Sequence, residues 1–353
     1  MAEKLLMKGN EAIGEAAIRA GCRFYFGYPI TPQSELTAYM AKRLLRMEDA
    51  AFVQAESEIA AINMVYGAGA TGVRVMTSSS SPGISLKQEG LSYIALAEIP
   101  CVVVNMQRGG PGLGSIQPAQ GDYFQATKGG GHGDYHLIVL APSTVQELVD
   151  LTIDAFNLAD QYRNPAMILG DGLLGQMMEA VEFKEPPEVA LPDKNEWTIT
   201  GCKGRKPRHI VPFDLDPLVL ESWNKKMGEK YSLLKQKEVR YELFNTEEAE
   251  LVVVAYGTVA RIIKTVIHNA KNEGMKIGLI RPITLFPFPE KVIAEAAERV
   301  KKFLVVEMSL GQMIEDVKLA VNGKAEVKFY GRTGGVVPTP IEILEAVKKN
   351  LKG

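Results

Sequence analysis

Six short apolar runs alternate with helical stretches over the first half of the chain, and this alternation limits the folds open to it. The runs are rich in β-branched and aromatic residues, which favour strands. Strands separated by helices are typical of a parallel sheet covered by helices. The runs are residues 24–27, 51–54, 73–77, 101–105, 137–140 and 166–169.

A second alternation begins after residue 247. Strand-like runs at 251–256, 277–280 and 303–307 are separated by helical stretches at 260–272 and 289–301, and a terminal helix starts at Pro340. Between about 182 and 247 the periodicity fades into Pro, Lys and Asp, which is typical of turns and connectors. The sequence therefore predicts two parallel-sheet α/β domains, residues 1–185 and 247–353, joined by a long connector at 186–246 with little core of its own.

Composition excludes several classes of partner. The chain has 353 residues, of which 46% are hydrophobic and 23% charged, with a formal net charge of -2. This composition is that of an ordinary globular protein, and the charge offers no basic field for nucleic acid or an anionic membrane. No run of about 18 apolar residues is present, and Met1 to Lys4 lack the build of a signal peptide. We expect a cytoplasmic protein with no nucleic-acid or membrane partner.

The three cysteines do not form a metal-binding motif. They are widely separated and make no CxxC pair, so cysteine alone cannot assemble a zinc or iron–sulfur site here. Cys22 and Cys101 lie in apolar strand-like runs, which predicts buried structural thiols.

A proline-rich segment follows the first strand of the predicted sheet. It reads Tyr28-Pro29-Ile30-Thr31-Pro32. Each proline fixes its own φ and pushes the preceding residue out of the helical region, so the segment should be extended and stiff. The carboxyl edge of an open α/β sheet is where such folds bind ligands, and the segment presents the Thr31 hydroxyl there.

Two further loops should reach the same edge. Gln107 to Gly114 follows a buried strand, and its glycines allow a sharp bend that aims the Arg108 guanidinium at the crevice, where it would suit a carboxylate. A solvated loop arginine is the alternative. The serine run Ser78 to Ser81 is equally compatible with ligand binding and with capping of the next helix.

A lone carboxylate opens the helix that follows the second strand-like run, at 51–54. Glu56-Ser57-Glu58 precedes a helical stretch of small apolar residues, which predicts that this helix is buried. Stabilisation of the helix N-terminus could by itself explain either glutamate. The unpaired, apolar setting favours a functional role.

Taken in order, these motifs resemble the alpha subunit of 2-oxoacid:ferredoxin oxidoreductases. The resemblance runs nearly end to end and is greatest to the branched-chain (2-ketoisovalerate) type, with the 2-oxoglutarate type next. It implies a pyrimidine-binding thiamine diphosphate domain followed by a transketolase C-terminal-like domain. The motifs are Tyr-Pro-Ile-Thr-Pro, Glu-Ser-Glu, Ser-Pro-Gly, Gln-Arg-Gly-Gly-Pro and Arg-Pro-Ile-Thr-Leu-Phe-Pro-Phe-Pro from Arg281 to Pro289.

The resemblance also implies roles for individual residues. Glu58 matches the catalytic glutamate that hydrogen-bonds the aminopyrimidine ring of thiamine diphosphate, and such a bond needs a dry pocket. Thr31 and Arg108 match the residues that contact the substrate, Arg108 through the oxoacid carboxylate. Cofactor contacts are expected from four residues in all: Tyr28, Pro29, Ile30 and Glu58.

The remaining parts of the reaction are expected on other chains. The resemblance implies a beta subunit that holds Mg²⁺ and the diphosphate, an iron–sulfur ferredoxin-like subunit, a gamma subunit and an external ferredoxin. Thiamine diphosphate would be shared with the beta subunit, and coenzyme A would be a co-substrate. This chain would bind no metal and would be inactive alone.

Two patterns could suggest a metal site. Gly170-Asp171-Gly172 with Asn195 resembles the signature that holds Mg²⁺ and diphosphate, but Asn195 lies at the start of the polar connector. His132 and His136 have near-metal spacing, but a glycine between them and a following apolar run favour a loop-edge pair. We therefore expect neither to bind metal.

Three hypotheses remain open at this point. The first is the oxidoreductase subunit; the second is a free-standing thiamine enzyme that uses the Gly170–Gly172 segment; the third is a catalytically silent scaffold. The substrate is not fixed, although Leu113, Ser115 and Ile116 lack a second basic residue for a distal carboxylate, which favours an apolar oxoacid. The alternative substrate is 2-oxoglutarate.

Overall fold

The computed structural model describes residues 4–185 and 189–352. Pro186 and Pro187 of the predicted connector, and Met1 to Glu3, lie outside the described residues. The strands are β1 (Lys4–Lys8), β2 (Phe24–Gly27), β3 (Ala51–Gln54), β4 (Val75–Ser79), β5 (Val102–Gln107), β6 (Ile138–Leu140), β7 (Ala166–Asp171), β8 (Met178–Glu182), β9 (Tyr241–Phe244), β10 (Leu251–Val254), β11 (Ile277–Pro282), β12 (Thr284–Phe286), β13 (Lys302–Glu307) and β14 (Glu326–Gly331).

The helices cover the faces of the two larger sheets. A short 3-10 turn spans Lys194–Glu196. The α-helices are α1 (Gly9–Arg19), α2 (Ser34–Leu44), α3 (Glu58–Ala70), α4 (Ser81–Leu96), α5 (Tyr123–Thr127), α6 (Val145–Tyr162), α7 (Gly172–Gln176), α8 (Pro217–Lys237), α9 (Gly257–Asn272), α10 (Glu290–Arg299), α11 (Met313–Val321) and α12 (Pro340–Lys352).

The first sheet has the strand order β12-β6-β7-β5-β4-β2-β3. Its strands are parallel except β12, which pairs antiparallel with β6. The central strands β4, β5 and β7 are buried along their whole length, as expected for a sheet with helices on both faces. The predicted parallel-sheet α/β fold is therefore confirmed.

The second sheet has the order β14-β13-β10-β11-β9 and is parallel except for β9. Two of its features were not predicted. The strand β9 comes from the end of the predicted connector, at residues 241–244, and the strand β12 leaves the second half of the chain to join the first sheet. The antiparallel edge strand of each sheet thus comes from outside the predicted domain that forms the rest of that sheet, which periodicity within a single short strand does not reveal.

The connector also differs from the turn-rich segment that the sequence predicts. Residues 217–237 form the 21-residue helix α8, which begins at a proline after the N-cap residue Asp216. Met227, Tyr231 and Leu234 are buried on its inner face, so this part of the connector contributes to the core. Its charged outer face masked the apolar stripe in the sequence.

Helix α3 is less buried than its composition predicts. Ile59 is 49% exposed, and Asn63 and Gly67 on the same face are also exposed. The prediction of all-round burial is wrong within this chain because α4 and the first sheet cover only one side of the helix.

Gln120 joins the two halves of the molecule. Its side-chain amide donates to the Tyr256 carbonyl at 3.0 Å and accepts from the Met308 backbone N–H at 3.0 Å. The Gly257–Thr258 turn, which in the sequence resembles a phosphate-binding turn, lies against this amide. A first-domain side chain therefore fills that turn.

Cys22 and Cys101 are buried, as the sequence predicts. Burial raises the pKa of each thiol to about 12 and so disfavours the reactive thiolate. No helix in the described ranges 4–185 and 189–352 combines the length and apolarity needed to cross a bilayer.

Candidate functional site

The loops that follow β2, β4 and β5 meet at one edge of the first sheet. Arg108 follows β5 and Ser81 follows β4, and the backbone N–H of Arg108 donates to the Ser81 hydroxyl at 3.0 Å. The Arg108 side chain reaches the loop after β2. This edge is the carboxyl end of parallel strands, where the sequence places the site.

The Tyr28–Pro32 segment is fixed by hydrogen bonds to its last residue, while several of its side chains are exposed. The Asn10 side-chain amide donates to the Pro32 carbonyl at 2.7 Å, and that of Gln176 donates to the same oxygen at 3.2 Å. Thr31 is exposed, and Tyr28 is 37% exposed. The segment is thus a fixed wall whose outer side chains are free to contact a ligand.

Arg108 is buried between two loops. One guanidinium nitrogen, Nη1, donates to the Thr31 carbonyl at 2.9 Å, and the other, Nη2, donates to the Leu113 carbonyl at 3.0 Å. Its Nε is buried with no hydrogen-bond partner among the residues described here. The arginine therefore acts as a loop clamp: its two Nη atoms join the loop of Thr31 to the loop of Leu113, while Nε has no acceptor. A buried donor without an acceptor costs free energy unless a ligand accepts its hydrogen bond.

The structure distinguishes the two candidate glutamates. Glu56 is exposed, whereas Glu58 is 6% exposed at the first turn of α3. The helix cap is Ser57, whose hydroxyl accepts from the Ala60 backbone N–H at 3.2 Å. Ser57 therefore caps α3. The Glu58 carboxylate is not needed for capping and is buried away from water, so it can bind a ligand.

Helix α4 packs directly against that carboxylate. An ideal Cβ on Gly83 would lie 2.5 Å from Oε1 of Glu58 and 2.1 Å from the Ser79 hydroxyl. Only glycine permits this approach, because any side chain would displace the carboxylate. Gly83 is a further candidate site residue; it lies in the Ser-Pro-Gly motif, but the sequence gives no sign of its contact with Glu58.

Lys87 was also missed. It lies one turn beyond Gly83 on the same face of α4 and is fully buried. Its Nζ donates to the Thr77 hydroxyl at 3.0 Å and lies 3.5 Å from the backbone carbonyl of Glu58. Burial lowers the pKa of Lys87 to about 8, while the nearby Glu58 charge opposes that fall. In the sequence Lys87 is followed by Gln88 and Glu89, so no local signal distinguished it from a solvent-exposed lysine.

The serine run divides into two roles. Ser78 and Ser81 make structural hydrogen bonds, to the Tyr25 hydroxyl at 2.6 Å and to the Asp122 carboxylate at 2.6 Å. The hydroxyls of Ser79 and Ser80 are buried with no partner within the described part of the chain. Two free hydroxyls beside a buried carboxylate provide polar groups for a ligand.

Asp171 and Asn195 do not come together. Asp171 is buried and caps α7, accepting from the backbone N–H groups of Leu173 and Leu174 at 3.0 and 3.1 Å. Asn195 lies in the 3-10 turn beside Gly72, past the far end of α3, because the neighbouring Lys194 donates to the Gly72 carbonyl at 2.9 Å. Burial raises the pKa of Asp171, which disfavours the carboxylate that a metal needs.

His136 packs in the core at the domain junction. Its ring stacks on Phe286 with centroids 4.2 Å apart, and Nδ1 lies 3.0 Å from the Thr127 carbonyl. Burial lowers the pKa of His136 and favours the neutral ring. No group of three or more metal-binding side chains is found in residues 4–185 and 189–352.

The residues around Glu58 fit the pyrimidine end of thiamine diphosphate. A buried carboxylate and two unpartnered hydroxyls match an aminopyrimidine ring, which offers both donors and acceptors. The fold and site thus define a pyrimidine-domain type of α/β protein.

Comparison with known proteins identifies the family. A model of the pyruvate flavodoxin/ferredoxin oxidoreductase thiamine diphosphate-binding domain matches residues 15–210. A model of pyruvate:ferredoxin oxidoreductase core domain II matches residues 249–343. The chain belongs to the 2-oxoacid:ferredoxin oxidoreductase family, which confirms the resemblance seen in the sequence.

Individual relatives cover the whole chain. Ketoisovalerate oxidoreductase subunit VorB of Methanothermobacter marburgensis is 50% identical over 98% of this chain and 97% of its own length. The 2-oxoglutarate synthase subunit KorA of Methanothermobacter thermautotrophicus is 39% identical over 99% of both chains.

Solved structures agree with the fold. The 2-oxoglutarate:ferredoxin oxidoreductase from Magnetococcus marinus, solved with 2-oxoglutarate, coenzyme A and succinyl-CoA bound, superposes with a TM-score of 0.88 at 27% identity. It covers 99% of this chain, and this chain covers 66% of it. A split-gene transketolase, at 14% identity and a TM-score of 0.61, shares the fold.

Gly83→Ala tests the close approach of α4 to Glu58. We expect the new methyl group to push the carboxylate aside and destabilise the chain by about 1–3 kcal/mol, the usual cost of overpacking. Urea unfolding of the isolated chain measures this. Gly67→Ala is the matched control, because its Cβ would meet nothing within 4 Å and alanine favours a helix. Equal stabilities of the two variants would contradict the packing.

Proposed function

We propose that this chain is the alpha subunit of a thiamine diphosphate-dependent ketoisovalerate:ferredoxin oxidoreductase. The overall reaction would be oxidative decarboxylation of a branched-chain 2-oxoacid with coenzyme A, giving acyl-CoA and CO₂ and passing electrons to ferredoxin. The observation that carries the proposal is the buried Glu58 carboxylate opposite Gly83, at the edge where the Arg108 loop arrives. The 50% identity to the ketoisovalerate oxidoreductase subunit supports the substrate class.

The residues of this chain would divide the work between cofactor and substrate. Bound thiamine diphosphate supplies a nucleophilic carbon for the oxo group of the substrate. Glu58 would hold a proton at Oε1 shared with the aminopyrimidine ring, in a pocket dry enough to keep water from competing. Tyr28, Pro29 and Ile30 would line the cofactor, and Arg108 with Thr31 would orient the oxoacid carboxylate.

The entrance of the site favours an apolar substrate. Leu113 and Ile116, on the loop clamped by Arg108, are 80% and 55% exposed. Arg332, in the adjacent second-domain loop, is already paired with Glu342. Among the entrance residues described here, a distal substrate carboxylate would therefore meet no free cation, whereas a branched alkyl group would meet leucine and isoleucine.

The partners of the enzyme complete the proposal. We place Mg²⁺ and the diphosphate on a beta subunit, iron–sulfur clusters on a ferredoxin-like subunit, and a gamma subunit beside them, with external ferredoxin as acceptor and the cytoplasm as the location. The relative is itself named as a subunit. The exposed front of the Tyr28–Pro32 segment is consistent with a site completed by another chain.

Reconstitution tests both the subunit role and the substrate. We expect no turnover by the isolated chain, and turnover with 2-ketoisovalerate, coenzyme A and a viologen dye once beta, gamma and iron–sulfur subunits are co-expressed. Activity with 2-oxoglutarate should be at least about tenfold lower, since one unpaired buried charge costs more than 1.4 kcal/mol. Full turnover by the chain alone would instead indicate a free-standing thiamine enzyme, and a preference for 2-oxoglutarate would overturn the substrate.

A further inference from the structure

Lys87 is a buried charge with no ion-pair partner within 4.0 Å in the described residues. Its side chain is completely buried on α4, and its two hydrogen-bond contacts are the Thr77 hydroxyl and the Glu58 backbone carbonyl, both neutral oxygens. Burying an ammonium costs several kcal/mol when no carboxylate neutralises it directly. A lysine in this position therefore needs a compensating role.

The geometry joins Lys87 to the candidate cofactor site. Gly83 and Lys87 are four residues apart and lie on one face of α4. Gly83 contacts the carboxylate end of Glu58, and Lys87 contacts its backbone. One face of α4 thus contacts both the side-chain carboxylate and the backbone carbonyl of Glu58. A change in the charge of Lys87 would therefore be felt by Glu58, the first residue of α3.

Glu58 is the charged group that acts on Lys87. The neighbouring strand β4 presents the neutral Thr77, helix α3 presents Glu58, and on α4 itself Glu89 points to solvent. The Glu58 charge raises the pKa of Lys87 against the effect of burial.

We propose that Lys87 is a positioning residue that fixes Glu58 at the start of α3, through its contact with the Glu58 backbone carbonyl and the attraction between the two side-chain charges. The carboxylate then stays against Gly83, where Oε1 can share a proton with a ligand. This role in the reaction rests on the proposed function, whereas the coupling between the two side chains does not.

The coupling is tested on the isolated full chain. With lysine labelled at Cε with ¹³C, NMR should show one resonance that titrates near pH 8 and is absent from Lys87→Met. In Glu58→Gln the same resonance should titrate at a lower pH, because the stabilising negative charge is gone. Thr77→Val, which removes the hydroxyl and keeps both charges, is the control for local repacking. An unchanged titration in Glu58→Gln would overturn the proposal.

Stability against pH gives a second readout. The pKa of Lys87 is about 8 in the folded chain and 10.5 ordinarily, so between these values the unfolded chain holds more protons than the folded one. Stability should therefore rise as the pH increases from about 8 to 10.5, and this rise should disappear in Lys87→Met. The same slope in both proteins would show that Lys87 is not a buried ammonium.

The reconstituted complex tests the role in the reaction. Lys87→Met should lower kcat by about tenfold and leave KM for the oxoacid within about twofold, because the side chain does not reach the substrate edge. An equal change in KM would indicate structural damage and overturn the positioning role. If the wild-type complex turned over no oxoacid, the proposed function would fail while the NMR coupling would still stand.

Discussion

Glu58→Gln is expected to abolish turnover in the reconstituted complex while the chain still folds. Glutamine keeps the shape of the side chain but cannot share a proton as a carboxylic acid does. Loss of a positioned general acid–base group lowers kcat by about 10²- to 10⁴-fold. KM for the oxoacid should change little, because the proposed substrate contacts, Arg108 and Thr31, lie on other loops. Steady-state kinetics with a viologen acceptor measure both constants.

Glu56→Gln is the control for this experiment. Glu56 is two residues away and exposed, so its charge contributes little to a dry pocket and the variant should retain wild-type kcat. Thermal unfolding should match the wild type in Glu56→Gln and occur at a lower temperature in Glu58→Gln, because the Glu58 charge offsets the burial of Lys87. Both variants should still fold, since Ser57 and not either glutamate caps α3. Wild-type activity in Glu58→Gln would support the silent-scaffold hypothesis and contradict the proposed chemistry.

Much of the fold could be predicted from the sequence because its strands carry a strong local signal. The runs at 24–27 and 51–54 coincide with β2 and β3, and the others shift by one or two residues at their ends. Among the elements that were missed, β9, β12 and α8 depend on contacts between distant parts of the chain. The two strands are short and the helix is largely charged, so hydrophobic periodicity does not predict them.

The candidate site shows the same division. Glu58, Thr31 and Arg108 stand out because a lone carboxylate, a stiff proline segment and a glycine-flanked arginine are unusual in sequence. Gly83 and Lys87 matter only because α4 packs against α3, and that is a property of the fold. The sequence also could not show that Arg108 bridges two backbone carbonyls, since the partners are 77 and 5 residues away.

Arg108→Lys is expected to raise KM for the oxoacid by about 10- to 100-fold. The guanidinium binds two loops through Nη1 and Nη2 and leaves the Nε donor free for the substrate. The single ammonium of lysine cannot make all of these hydrogen bonds at once. A hydrogen bond to a charged group contributes about 1.5–3 kcal/mol, which corresponds to this change in KM. Steady-state kinetics of the reconstituted complex, at saturating coenzyme A, measure it.

Loss of the loop clamp could raise KM without any contact between Arg108 and the substrate, and Asn10→Ala separates the two effects. Asn10 tethers the same segment through the buried Pro32 carbonyl, the next carbonyl after the one that Arg108 binds. If Arg108 binds the carboxylate, the arginine variant should raise KM strongly, and Asn10→Ala should lower stability with little effect on KM. Matching increases in KM for the two variants would mean that Arg108 only holds the loops. A free Nε in a buried position argues for the first outcome, because a purely structural arginine gains nothing by leaving that donor unsatisfied.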